Sequence, residues 1–295
     1  MEGNNSRARY YHLVPKYSNG SLESSVSNTG IERHSGGTGQ TGLGNSGNTC
    51  YMNCILQCLC NTTPLVEYFI TGAYADDLNR GRGELSNAFS ALVMDMWLGD
   101  CVYIFPDEVK RVLGKLHASF SDGTQQDAQE LLLFFLNVLH NDLKRDCLRL
   151  FFKEEVLSSR DQPFCSFCGR KQDQTESIQL LKAPDIIIIH LKRFESDDHG
   201  NRKLTSTVTF PLEDLDLSQY TTNPSTQQLK YHLYAVVNHT GTLDSGHYTA
   251  YCKNPVTQNW HEFNDAKVTS ISEQKIQSPA AYVLFYNCVN FQWAQ

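Results

Sequence analysis

The sequence predicts an α+β protein, a helical N-terminal half followed by a largely antiparallel β C-terminal half. Gln125–Leu143 (QQDAQELLLFFLNVLHNDL) carries a sustained apolar pattern at helical spacing. After about Lys153 the chain turns to short runs rich in β-branched and aromatic residues, divided by Gly- and Asn/Pro-bearing turns. At 295 residues, with 40% hydrophobic and 19% charged side chains, the chain is long enough to bury one large core.

Residues 1–40 hold seven Ser, six Gly and four Asn without a sustained apolar period, the composition of a disordered tail. The globular body is expected over 41–290. Cys50–Cys60 (CYMNCILQCLC) reads as a helix opening after Asn48-Thr49, with Asn87–Leu98 and Pro106–Leu116 as further helices. Thr124 with Asp127 three residues on reads as a capping box for the long helix. Strands are expected at Ile178–Leu181, Asp185–Phe194, Val208–Phe210, Tyr231–Asn238, His247–Lys253, Trp260–Asn264 and Ala281–Tyr286. A site joining the two halves would lie between them.

Charge and cysteine content narrow the chemistry. Lys plus Arg is 25 against 32 Asp plus Glu, a net charge of -7, which argues against binding nucleic acid through a basic face and suits a positively charged partner. The N-terminus shows no apolar signal core, and the longest apolar runs, Leu131–Leu136 and Ile186–Ile189, are too short to span a bilayer. A reducing, intracellular setting (cytoplasmic, nuclear or both) is therefore expected for the ten cysteines, as thiols, ligands or nucleophiles rather than disulfides.

Cys50 stands out because it opens a helix directly after the Gly-rich run TGLGNSGNT, where the helix N-terminus favours a thiolate. Cys54, Cys58 and Cys60 lie further down the helix and read as small buried hydrophobes. A thiolate needs a base and a group to orient it. If the strands HYTAYCK and WHEFN pair around a turn centred between Pro255 and Val256, His247 faces Asn264, with Asp265 beside it. A Cys early, with His and Asn late, is the chain order of papain-like thiol hydrolases. The backbone N–H of Cys50 and the amide of Asn45 are the natural donors for an oxyanion. His190, in IIIIHL, reads as a core histidine, and His239 as a loop residue.

These residues stand in segments that resemble the catalytic domain of the ubiquitin-specific proteases. TGLGNSGNTCYMNCILQCL resembles the family's Cys box and GTQQDAQELLLFFLNVLHNDL its QQDAQE helix. DIIIIHLKRF, KLTSTVTFPLEDLDLSQY, NHTGTLDSGHYTAYCKN, WHEFNDAKV and AAYVLFY follow in the family's order. The likeness is greatest to small members consisting of the catalytic domain alone. It implies a papain-like thumb–palm–fingers fold and hydrolysis of the peptide or isopeptide bond after the C-terminal glycine of ubiquitin. In that reading Cys50 is the nucleophile, His247 the base, Asn264 the third triad member supported by Asp265, and Asn45 the oxyanion donor. Asp127, with Gln126 beside it, holds the basic ubiquitin tail, and Gly246 keeps the approach to His247 narrow.

The chain departs from the family pattern at Ser46, where Leu is usual, and at Ser245, where Gly is usual. A larger departure falls in the fingers. The family binds a structural zinc through two CxxC pairs, and here only Cys165 and Cys168 match one. Four ligands close a tetrahedral site, so these two form half a site, with Cys147 a remote third. The chemistry itself requires no cofactor. The expected partners are ubiquitin and ubiquitinated proteins, with no nucleic acid and no membrane. Two other readings stay open: a catalytically weak ubiquitin-binding scaffold with truncated fingers, and a thiol protease for a related modifier.

Overall fold

The computed structural model describes residues 39–79, 81–121, 123–143, 164–165, 170–171, 184–197, 200–220, 229–242 and 245–289. Most of the expected tail 1–40, the expected strand Ile178–Leu181, and Cys147 and Cys168 lie outside them.

The helices come first: α1 (Cys50–Cys60), α2 (Thr63–Ile70), α3 (Tyr74–Asp77), α4 (Glu84–Leu98), α5 (Asp107–Leu116) and α6 (Ala128–Asp142). Two short parallel strands, β1 (Gly42–Leu43) and β2 (Tyr103–Ile104), sit among them. The later strands are β3 (Phe164–Cys165), β4 (Arg170–Lys171), β5 (Ile186–His190), β6 (Phe194–Asp197), β7 (Gly200–Lys203), β8 (Leu215–Asp216), β9 (Lys230–Gly241), β10 (Gly246–Lys253), β11 (Trp260–Asn264), β12 (Lys267–Ser270) and β13 (Ala281–Cys288). The main sheet is antiparallel with order β12-β11-β10-β9-β13-β5, and β8 pairs with the start of β9. Helical and β halves thus separate along the chain as an α+β fold requires.

All eleven residues of α1 are buried, not one face alone. The helix lies between the sheet and the remaining helices, so its polar side chains need internal partners. Gln57 Nε2 donates to the Thr41 carbonyl at 2.9 Å, and Thr62 Oγ1 lies 2.9 Å from the Tyr234 hydroxyl. Trp97 Nε1 donates to the Cys60 carbonyl at 2.8 Å, closing the far end of α1 against α4. Edge-to-face rings of Phe69, Phe89 and Phe135, 5.1 and 5.2 Å apart, tie α2, α4 and α6 together. Cys54, Cys58 and Cys60 are buried, and the seven cysteines Cys50, Cys54, Cys58, Cys60, Cys101, Cys252 and Cys288 carry free thiols.

Four local expectations differ from the structure. The strand expected over Asp185–Phe194 is broken at residues 191–193 into β5 and β6, which lie in different sheets. The capping box at Thr124 does not form: Asp127 is itself the N-cap, its Oδ1 accepting from the Gln129 and Glu130 N–H groups at 2.7 and 3.2 Å. Thr124 is engaged instead by the Gln126 side chain, which donates to its Oγ1 at 2.7 Å. Val208–Phe210 is not a strand, and side chains bond the Phe210 carbonyl and carbonyls on either side of the segment. Gln277 donates to Phe210, the Tyr286 hydroxyl to Pro211, and the buried Arg193 to Leu204 and Ser206. His239 is not in a loop but buried in β9, opposite Tyr248. Helix α2 has only eight residues, too few for its apolar period to show, and Pro64 in its first turn is its one start signal.

Candidate active site

The sheet and the helical half meet where α1 begins. Cys50 opens α1 and is 3% exposed, and the backbone N–H groups of Tyr248, Tyr51 and Cys50 itself favour its thiolate. The expected helix-terminus effect is thus present but outweighed. Burial pushes the Cys50 thiol above its ordinary value, and the nearby Asp265 carboxylate pushes the same way. The balance favours the protonated form of this sulfur.

His247 stands one residue before Tyr248, whose backbone N–H reaches the Cys50 sulfur. His247 Nε2 lies 2.8 Å from Asn264 Oδ1. The two residues are not directly opposite, as the turn centred between Pro255 and Val256 would require. The ladder pairs Ala250 with Phe263 and Lys253 with Trp260, so its continuation sets Thr249 against Asn264. His247 is two residues further along, a diagonal neighbour on the same face, still within side-chain reach. The turn is longer than expected because Asn254 organises it. Its Oδ1 accepts from the Val256 and Thr257 N–H groups, and its carbonyl from Gln258, which takes φ 60°.

Asp265 follows with φ 50° and turns its carboxylate toward the Cys50 loop. Oδ2 accepts from Asn45 Nδ2 at 3.0 Å, Oδ1 from buried Asn53 Nδ2 at 2.8 Å, and its carbonyl from the Leu43 N–H at 3.0 Å. Asn45 is fixed from its other end, Oδ1 accepting from Gly47 N, Thr49 N and Thr49 Oγ1 at 3.0–3.2 Å. One amide hydrogen of Asn45 is thereby spent on Asp265, leaving the second for a ligand. Ser46 is tethered to α5 by Lys110, whose Nζ lies 3.2 Å from Ser46 Oγ, and Asn48 Nδ2 donates to the Gly123 carbonyl at 3.0 Å.

Beneath β10, a methyl group on Gly246 would collide with His239 Nε2 and meet the Thr240 carbonyl at 2.8 Å. Only glycine fits there. Asp127, besides capping α6, accepts from the Tyr282 hydroxyl at 2.6 Å through Oδ2. Gln126 stays with Thr124, and it is Gln125 that reaches across to β10. Its Nε2 donates to the Gly246 carbonyl at 2.9 Å and its Oε1 accepts from the Gly246 N–H at 3.1 Å. The sequence shows two adjacent glutamines, with no signal for which one turns to the sheet.

The zinc half-site draws no support from the described residues. Cys165 ends β3, Cys168 lies outside them, and they contain no group of three or more His, Cys, Asp or Glu able to hold a metal. Two sulfurs do not make a tetrahedral set.

A cysteine at a helix start, a histidine held by an asparagine on an adjoining sheet, and amide donors beside the sulfur define a papain-like thiol-hydrolase arrangement. The sequence model described as Ubiquitin carboxyl-terminal hydrolase matches residues 41–286, and the chain belongs to that family. Ubiquitin carboxyl-terminal hydrolase 2 of Homo sapiens is 32% identical over 333 residues, covering 84% of this chain and 55% of the human protein. The Gallus gallus protein of that name is 34% identical, covering 84% of this chain and 93% of its own length. Ubiquitin carboxyl-terminal hydrolase 21 of Homo sapiens is 27% identical, covering 85% and 62%. The chain therefore spans about half the length of several curated relatives it matches. Among solved structures, the SAGA Ubp8/Sgf11/Sus1/Sgf73 DUB module bound to ubiquitin aldehyde has a TM-score of 0.72 at 23% identity. That match covers 97% of this chain and 75% of the other, a likeness of fold.

Proposed function

We propose that the chain is a cysteine-type deubiquitinase that hydrolyses the bond after the C-terminal glycine of ubiquitin. The observation that carries the reading is the joining of Cys50, His247, Asn264, Asp265 and Asn45, distant in sequence, at one end of α1. His247, oriented by Asn264, removes the Cys50 proton as the sulfur attacks the glycine carbonyl. The developing oxyanion is met by the Cys50 N–H and the free amide hydrogen of Asn45. The leaving amine takes the proton from His247, and water then attacks the thioester with His247 again as base. Asp265 acts by holding Asn45.

Asp127 is the contact for the basic ubiquitin tail, through the lone pair of Oδ2 that Tyr282 leaves free, and Gln126 lies at its side. Gly246 keeps the channel to His247 narrow. The acidic balance of -7 suits that partner. A reducing intracellular compartment, cytoplasmic or nuclear, suits a thiol nucleophile. Neither nucleic acid nor membrane has a part in this reading. Among the described residues no helix is long and apolar enough to cross a bilayer. Structural zinc is not held by the Cys165–Cys168 pair alone.

A second reading, a ubiquitin-binding scaffold of low activity, rests on the fingers. The match to the human relative runs over 333 residues, more than this whole chain, yet takes in only 84% of it. That supports a missing internal segment and with it a weaker grip. Hydrolysis of a fluorogenic amide on the ubiquitin C-terminus separates the two. Turnover that Cys50→Ala abolishes supports the enzyme. Saturable ubiquitin binding without turnover supports the scaffold.

A further inference from the structure

The first residues of β10 carry the base yet have a sheet neighbour on one side only. β10 pairs with β9 from Gly246 onward, but its ladder with β11 begins at Ala250, and among the described residues 246–248 face no strand on that side. Glycines at 241 and 246, the former with φ 100°, leave this hairpin end little stiffness of its own. At this place both backbone groups of Gly246 are taken by the Gln125 amide, which donates at 2.9 Å and accepts at 3.1 Å as a paired peptide group would.

We propose that Gln125 is a positioning residue: its amide replaces the missing strand neighbour of Gly246 and so holds His247 between Asn264 and Cys50. Gln125 is 121 residues from Gly246 in the chain and belongs to the segment that leads into α6, so the bond crosses from the helical half to the sheet. Other bonds link the same segments. Asn48 reaches Gly123 and Asn45 reaches Asp265, which adjoins the partner of His247. The Gln125 bridge closes these links into a ring, and it meets the chain one residue before His247. Both of its bonds end on backbone, so no compensating change at position 246 could restore them.

This inference rests on the proposed thiol chemistry, and its test is built to fail separately. Gln125→Ala removes both bonds. Gln125→Glu keeps the acceptor for the Gly246 N–H but sets a carboxylate against the Gly246 carbonyl. Two measurements are made on the full chain: turnover of a ubiquitin C-terminal amide, and the rate at which iodoacetamide modifies Cys50, followed by mass spectrometry across pH. A displaced base lowers kcat about 10- to 100-fold with KM within about twofold, because ubiquitin is still gripped. It also slows Cys50 alkylation near neutral pH by a similar factor, with Gln125→Glu between wild type and Gln125→Ala. If wild type fails on ubiquitin, the proposed function falls, while the alkylation rates still decide the role of Gln125. Equal alkylation rates in wild type and both variants, equally negligible ones included, or a rise in kcat on removing the amide, overturn it.

Discussion

His247 Nε2 and Asn264 Oδ1 stand 2.8 Å apart although the ladder joining their strands does not pair them. The bond is diagonal, and it survives a register two residues away from the simplest hairpin because strand faces repeat every two residues. It fixes which imidazole nitrogen is occupied by Asn264 and keeps Nδ1 out of that bond.

Removing that acceptor should therefore cost chemistry rather than folding. Asn264 is exposed, so Asn264→Ala is expected to leave the melting temperature nearly unchanged and to lower kcat by roughly 10²-fold or more. Asn264→Asp keeps an oxygen at the same place and should retain most of the activity. Steady-state kinetics with parallel thermal melts check both.

Asp265 has a different task. Asp265→Asn replaces one carboxylate oxygen by an amide nitrogen, so either Asn45 or buried Asn53 loses its acceptor, which should cost about 1–3 kcal/mol of stability. The same change deletes an anion that raises the Cys50 thiol, a contribution second to burial. The pH at which Cys50 reacts with iodoacetamide should consequently move down in the variant. A midpoint that stays put or rises would count against the electrostatic contact. Chemical denaturation measures the stability loss.

Gly246→Ala sets a methyl group against His239 and the Thr240 carbonyl. Moving β10 to relieve it is expected to cost about 1–3 kcal/mol and to displace His247. Activity should fall further than stability explains, with Cys50 alkylation slowed as well. Wild-type kinetics in this variant would mean that the approach beneath Gly246 is looser than drawn.

Stability should also fall toward acid for a specific reason. Burial lowers His239 from an ordinary value of 6.5 to about 4, with the Lys203 and His247 charges acting the same way and Asp127 opposing them. The unfolded chain takes up this proton near pH 6.5 and the folded chain only near 4, so stability is lost as pH falls between them. His239 packs against Tyr248 at 4.5 Å and Phe194 at 5.4 Å, and its Nδ1 makes no hydrogen bond. His239→Phe keeps a ring in place without the proton, and its denaturation midpoint should fall less steeply from pH 6.5 to 4.

The outline of this site was legible because its residues sit in recognisable local settings. Cys50 follows a Gly-rich loop at a helix start, and His247 and Asn264 lie on neighbouring β runs. What could not be read depends on partners far away in sequence. The ladder register was hidden in the Asn254 side chain, which lengthens a turn that Pro255 seemed to centre. The bridging part of Gln125 is not legible in the sequence, because only the position of Gly246 distinguishes two adjacent amides. His239 looked like a loop residue because the strand β9 runs on to Gly241, past the last residue whose apolar alternation showed it. The thiolate expected at Cys50 was judged from the helix terminus alone, and burial, which a sequence does not display, reversed the balance.

The central claim is that Cys50 forms a covalent bond with the ubiquitin C-terminus, and a ubiquitin-based suicide probe tests it directly. Intact mass spectrometry of the folded protein should show one ubiquitin added, with the adduct on Cys50 and no adduct in Cys50→Ala. No adduct on folded wild-type protein, or an adduct that persists in Cys50→Ala, would contradict it.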